Sequence, residues 1–268
     1  KGEEMKDLFS IKDKVALVTG GSRGIGEMIA AGFLASGAKV YISSRKAEVC
    51  DSTATRLSKE FGGECISIPS DLSRLDGVES LANTISSEES KLDILINNAG
   101  ASWGAPIDEY PESGWDKVMD TNVKGVFFLI QKLLPVLRKA SSGDDPSRVV
   151  NIGSVDGIKT GGFDAFAYGP SKAALHHLTR ILAASLIKEK IIVNAIAPGP
   201  FPTWMLSTGV GFGGETDVDW SVVGEQNPSG RVGNMQDIAG LAIFLCSRAS
   251  AYTVGQTITC DGGAVASS

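Results

Sequence analysis

The sequence predicts an α/β protein: a single-domain, Rossmann-type doubly wound sheet of about seven parallel strands flanked by helices. Three observations carry that expectation. Short runs rich in β-branched residues alternate with longer helical stretches from Lys14 almost to the end of the chain. The runs lack strict apolar–polar alternation, as strands buried on both faces do. A glycine cluster follows the first run and opens the first helix.

Taken in order, residues 1–13 are charged and aperiodic and form a lead-in, and residues 14–268 form the domain. Lys14–Thr19 is the first strand and Gly24–Ser36 the first helix. Strand Lys39–Ser43 and helix Ala47–Phe61 follow, then strand Cys65–Pro69 and helix Leu75–Ser87. Leu92–Asn97 is the fourth strand. Two long helical stretches, near Gly114–Ala140 and Phe166–Lys188, enclose the strand Arg148–Ile152. Ile191–Ile196 and Thr257–Cys260 complete the sheet. Leu206–Ser229, rich in Gly, Asp and Ser, is an irregular excursion, and a substrate lid is expected within 200–230 because long loops in compact domains often cover sites.

Composition narrows the function classes. The chain of 268 residues is 43% hydrophobic and 21% charged, with a net charge of −6. That balance lacks the basic footprint of a nucleic-acid binder. No apolar run approaches a membrane span and no signal peptide is visible, so a cytoplasmic location is expected. Cys50, Cys65, Cys246 and Cys260 stand far apart, which suits free thiols in a reducing compartment. His176 and His177 are adjacent, so on a helix they diverge by about 100°, and no metal site is expected. Phe163, Phe166, Phe201, Trp204 and Trp220 are equally readable as pocket lining or as core and lid packing.

Thr19–Gly26 (TGGSRGIG) places Gly20, Gly24 and Gly26, with Ser22, Arg23 and Ile25 between them, in a strand-to-helix turn. Glycines let the backbone approach a pyrophosphate, which the helix N-terminus attracts. At the end of the second strand, where an NAD site carries a carboxylate, stand Ser44 and Arg45. With Arg23 in the loop, two guanidinium groups suit a 2′-phosphate and hence NADP(H); singly, each arginine is also readable as a solvated turn residue. Tyr168 and Lys172 lie four apart on one helix face, and a nearby ammonium favours the phenolate. Ser154 follows the strand Arg148–Ile152, and Asn122 is a polar amide inside a helical stretch. Asn97-Asn98-Ala99-Gly100 closes the fourth strand.

At this point the chain resembles the short-chain dehydrogenase/reductases over about residues 10–263. The ordered motifs are TGGSRGIG, Asp71 in SDLS, NNAG, Asn122, Ser154, YGPSK, the Pro198-Gly199 turn with Thr203, and Asp261-Gly262-Gly263. Within the family it is most similar to the β-ketoacyl reductase type associated with rhamnolipid pathways, through GSRGIG, ASWGA, GWDKVM, NIGSV and AYGPSKAALH. The resemblance implies a reductase of ketones (3-oxoacyl thioesters, β-ketoesters or polyketide-type carbonyls) with Tyr168 as general acid, Ser154 polarising the carbonyl, Lys172 on the ribose and lowering the tyrosine pKa, and Asn122 anchoring a relay water. It further implies that Asp71, with Leu72 beside it, meets the adenine, that Asn98, Ala99, Gly100, Pro198 and Gly199 border the cofactor, and that Thr203 meets the nicotinamide carboxamide. The oxidative direction uses the same groups; a cofactor-binding regulator without turnover would have lost one of the catalytic residues, and none is lost. A homotetramer is implied through the long helices and Gln256–Gly263.

Two departures stand out. Tyr168 lies one residue further from Ser154 than the commonest family spacing, which reshapes the Val155–Ala167 loop. Glu189 occupies the place where carrier-protein-dependent relatives have an arginine, so that Lys188 and Lys190 flank a weakened basic surface and acyl carrier protein is a doubtful partner.

Overall fold

A computed structural model describes residues 5, 7–141, 145–161, 164–207 and 218–268. Strands β1 (Val15–Thr19), β2 (Lys39–Ser43), β3 (Cys65–Ser67), β4 (Ile94–Asn97), β5 (Ser147–Ile152), β6 (Ile191–Pro198) and β7 (Thr257–Cys260) form one sheet in the order β3-β2-β1-β4-β5-β6-β7. Every neighbouring pair is parallel. The chain order reverses between β1 and β4, which opens a crevice beyond their carboxyl ends, the usual ligand position of such sheets.

Side-chain alternation along each strand supplies two apolar layers. Ala16, Val18, Ile94 and Ile96 pack with Ile29 and Phe33 of α1 (Gly24–Ala35) and with Cys50 and Leu57 of α2 (Ala47–Phe61). Leu17, Leu95, Val149 and Val193 pack on the opposite face with Val78 and Leu81 of α3 (Leu75–Glu88).

The first long helical stretch is α4 (Glu112–Met119), a π-helical turn at Asp120–Lys124 and α5 (Gly125–Ala140). Leu129 and Leu133 of α5 fill the second apolar layer, as do Leu175 and Leu186 of α6 (Tyr168–Leu186). Within the expected lid, Trp220–Glu225 is a short helix, α7, whereas residues 208–217 of that excursion lie outside the described residues.

One element escapes the sequence reading. Met235–Cys246 is a helix, α8, which buries Ile238, Ala242 and Leu245. It packs so closely on α1 that a Cβ on Gly32 would stand 2.5 Å from the Ala239 Cβ. Its sequence, MQDIAGLAIFLC, is apolar around most of its circumference, which blurs helical periodicity. The local signal is a capping box: the Asn234 side chain accepts from the Asp237 N–H, and the Asp237 carboxylate accepts from the Asn234 N–H.

Candidate active site

The crevice is walled on one side by the glycine turn. Gly20 and Gly24 have φ of 63° and 58°, left-handed conformations that suit glycine. Gly26 has no room for a side chain, because a Cβ there would stand 2.3 Å from the Gly20 carbonyl oxygen and 2.4 Å from Asn98 Nδ2. Asn98 fastens the turn by donating from Nδ2 to the Thr19 and Gly20 carbonyls, at 3.0 and 3.1 Å. Thr19 Oγ1 in turn accepts the Asn98 and Ala99 N–H groups, both at 3.0 Å. Arg23 precedes α1 without a side-chain cap, which leaves that helix end open to an anion.

The end of β2 is unfinished in a telling way. The Ser43 and Ser44 hydroxyls are buried and have no hydrogen-bond partner, a costly state for a polar group. The exposed Arg45 follows them. Arg23 is also exposed, with its guanidinium 5.0 Å from the Trp204 ring centroid. Across the crevice Thr203 meets the glycine turn, its Cγ2 lying 3.2 Å from where a Gly24 Cβ would stand. Unpartnered hydroxyls, a glycine cradle and two nearby guanidinium groups fit a phosphorylated dinucleotide. Asp71 uses Oδ1 to accept from Ser73 N–H and Oγ, while Leu72 is buried and its carbonyl lies against Gly125. Gly199 donates its N–H to the Cys260 carbonyl at 3.0 Å, which ties the Pro198-Gly199 turn to β7.

The candidate catalytic residues meet near the carboxyl ends of β4 and β5. Lys172, 4% exposed, donates from Nζ to the Ile152 carbonyl at 2.8 Å. Its Nζ is 5.5 Å from the Tyr168 ring centroid. Burial lowers the Lys172 pKa to about 8. A buried ammonium holding one carbonyl has donors to spare, and sugar hydroxyls would use them. Tyr168 is half-buried, and burial pushes its phenol up to about 12, against a hydrogen bond from Ser154 that lowers it. The sequence led us to expect the opposite direction. Desolvation is the largest cause, opposed by the Ser154 bond and joined by the Asp156 charge, while Lys172 Nζ is held by the Ile152 carbonyl.

Asn122 is placed by the π-helical turn, an irregularity common at functional sites. Its Nδ2 donates to the Ala101 carbonyl and to Ser171 Oγ, both at 2.9 Å, and its Oδ1 accepts the Ala101 N–H at 2.8 Å. A Cβ placed on Gly100 would lie 3.4 Å from that Oδ1 and 3.7 Å from Lys172 Nζ, so both atoms border one small space. The Ser154 hydroxyl accepts the Asp156 N–H at 3.1 Å, at the head of a 3₁₀ turn, Val155–Gly157.

The sequence-predicted residues therefore gather along one crevice. Ser171, Ala101 and Thr19 were not singled out as site residues; each holds a predicted residue through a hydrogen bond, and their places inside YGPSK, ASWGA and TGGSRGIG were the one signal of it. Phe201 is core, buried beneath Gly233. Phe166 is partly exposed in an edge-to-face contact with Tyr110, and Phe163 lies outside the described residues. Among the described residues no cluster of three or more His, Cys, Asp or Glu side chains could hold a metal, and no helix is long and apolar enough to cross a membrane.

Comparison with known proteins agrees with this geometry. A family profile described as enoyl-(acyl carrier protein) reductase matches residues 20–265. The rhamnolipids biosynthesis 3-oxoacyl-[acyl-carrier-protein] reductase of Pseudomonas aeruginosa is 51% identical over 259 residues, covering 97% of this chain and 99% of that protein. Gluconate 5-dehydrogenase of Gluconobacter oxydans is 36% identical over 258 residues, covering 96% of each. Among solved structures, the Pseudomonas aeruginosa RhlG/NADP active-site complex superposes with a TM-score of 0.88 at 50% identity, over 96% of this chain and 98% of that one. The L-sorbose reductase of Gluconobacter frateurii, complexed with NADPH and L-sorbose, gives 0.86 at 28% identity over 96% and 98%.

Proposed function

The chain belongs to the short-chain dehydrogenase/reductase family, and from that premise we propose that it is an NADPH-dependent ketoreductase, turning a 3-oxoacyl thioester, β-ketoester or polyketide-type ketone into a secondary alcohol. The observation that carries the reading is the Lys172 ammonium buried beside the Tyr168 ring, with Ser154 alongside. The cofactor supplies a hydride, and the rest is the protein's part. Ser154 donates a hydrogen bond to the substrate carbonyl oxygen and polarises it. As negative charge gathers on that oxygen, Tyr168 gives it a proton. A phenol pushed up to about 12 remains protonated throughout the neutral range and is still far more acidic than the alcohol it creates. Lys172 holds the ribose hydroxyls, and a water between its Nζ and Asn122 Oδ1 returns the proton to the tyrosine. Alcohol oxidation runs through the same groups in reverse, so the NADPH/NADP+ ratio and the equilibrium of the reaction set the direction.

Arg23, Ser44 and Arg45 hold the 2′-phosphate, and the unpartnered Ser43 and Ser44 hydroxyls support that placement. Asp71 and Leu72 border the adenine, Asn98–Gly100 the adjoining ribose, and Pro198, Gly199 and Thr203 the nicotinamide end. Carrier-protein recognition is left out of the proposal: Glu189, paired with Arg138, stands where carrier-protein-dependent relatives have an arginine, although a 51% identical relative is named a 3-oxoacyl-[acyl-carrier-protein] reductase. A homotetramer is the assembly proposed, since the long helices leave Trp115 and Ile181 about half exposed. Free cysteines suit a cytoplasmic location.

The test is NADPH oxidation measured against the three ketone classes, with NADH in parallel. At least one class should turn over, with a clear preference for NADPH; equal rates with NADH would overturn the arginine argument. Tyr168→Phe should lower kcat by about a hundredfold or more, and retention of most activity would remove the phenol from the reaction.

A further inference from the structure

The catalytic reading leaves one buried titratable side chain without a task. His176 follows Lys172 by one turn on α6, is 5% exposed, and projects beneath the loop that carries Ser154. Its Nε2 accepts the Ser154 backbone N–H at 3.4 Å. The ring also fills the ground of two absent side chains. A Cβ on Gly153 would stand 2.0 Å from Nε2, and one on Gly157 would stand 2.8 Å from Cε1. The histidine is thus the floor of the Gly153–Gly157 segment, whose two end residues are glycines that leave it room. Ser154 in turn sets its hydroxyl by capping the 3₁₀ turn above that floor.

We propose that His176 is a positioning residue for Ser154, its unprotonated Nε2 holding the Gly153–Gly157 turn from below so that the Ser154 hydroxyl stays aimed at the Tyr168 phenol. An acceptor nitrogen must carry no proton. Burial first, then the nearby Lys172 and Arg180 charges, lowers the imidazole pKa to about 4, so Nε2 remains an acceptor throughout the neutral range. The adjacent His177 shows the contrast: it is exposed, and its Nδ1 meets Arg180 at 3.2 Å. The inference rests on the reading of Ser154 as the hydroxyl that polarises the ketone.

A double-mutant cycle on ketone reduction separates the two. Ser154→Ala should lower kcat strongly. His176→Leu, which keeps bulk but removes the acceptor, should lower kcat by about tenfold, with the NADPH KM within about twofold; in the Ser154→Ala background it should add less than about threefold, as residues acting through one another do. His176→Gln, whose amide oxygen can replace Nε2, should return kcat to within about threefold of wild type. If His176→Leu lowers kcat by the same factor in both backgrounds, or leaves it unchanged, the proposal is overturned. Should the leucine variant not fold, His176→Met takes its place in the cycle. If neither folds, His176→Gln decides: near-wild-type kcat supports the proposal, and a tenfold loss at unchanged Tm overturns it. Full activity in Ser154→Ala alone would instead sink the reading of the site, and the proposal with it.

Discussion

The two walls of the crevice are built by opposite means. At the ends of β1 and β2 the cofactor wall works by omission: Gly20, Gly24 and Gly26 remove side chains, and Ser43 and Ser44 present hydroxyls that the protein leaves unpartnered. At the end of β5 and the start of α6 the catalytic wall works by insertion. There Lys172, Asn122 and His176 are buried, and each is already tied to the protein by a hydrogen bond. The first wall is shaped by what its glycines leave out; the second is held by hydrogen bonds within the protein itself. The contrast implies that changes in the first wall act mainly through binding, and changes in the second through rate and through the stability of buried charge.

The sharpest test of the contrast is Lys172→Met. Activity should fall by at least about a hundredfold, while stability at pH 7 should rise by about 1–3 kcal/mol. The sign follows from the depressed pKa of about 8 against 10.5 for the free side chain. The folded state binds fewer protons than the unfolded one between those values, so the penalty of the buried ammonium is complete below pH 8 and fades as pH rises toward 10.5. Denaturant unfolding at pH 7 and pH 9.5 checks both points, and a variant less stable than wild type at pH 7 would break the comparison.

In the cofactor wall, Gly26→Ala should destabilise the fold by about 1–3 kcal/mol, because the new methyl meets the Gly20 carbonyl and Asn98. It should weaken NADPH binding more than it lowers kcat at saturation. Thermal melting and a fluorescence titration with NADPH separate the two effects, and a kcat loss with unaltered NADPH affinity would contradict the division. The narrowest effect belongs to His176, because it shows only at acid pH. With a folded-state pKa of about 4 against 6.5, its contribution is present above pH 6.5 and is lost as pH falls toward 4. Unfolding measured at pH 7 and pH 4.5 should fall by about 1–3 kcal/mol more in wild type than in His176→Gln.

The same contrast explains what the sequence disclosed. A wall made by omission is written in residue types, so the TGGSRGIG turn and the Ser44–Arg45 pair were legible, as were the strands of the parallel sheet. A wall made by insertion depends on which side chains meet across the fold. Tyr168, Lys172, Ser154 and Asn122 were identified through ordered motifs, but nothing local told that Ser171 would hold Asn122 or that His176 would underlie Ser154. Helix α8 escapes sequence reading because its contacts with α1 and the sheet make most of its circumference apolar. The upward Tyr168 shift is not legible in a motif either: YGPSK shows that a lysine is near, whereas desolvation is a property of the whole enclosure.

The π-helical turn at Asp120–Lys124 has a consequence for inheritance. Such a turn is an α-helix with one residue too many, and that surplus residue turns Asn122 inward while the remainder of α5 keeps its apolar face on the sheet. Removal of a single codon within the turn would restore an uninterrupted helix between α4 and α5 and erase the Asn122 corner, rotating α4 by about 100° relative to α5. A lineage of this fold is therefore one small deletion away from losing the Asn122 corner on which the proposed proton relay depends.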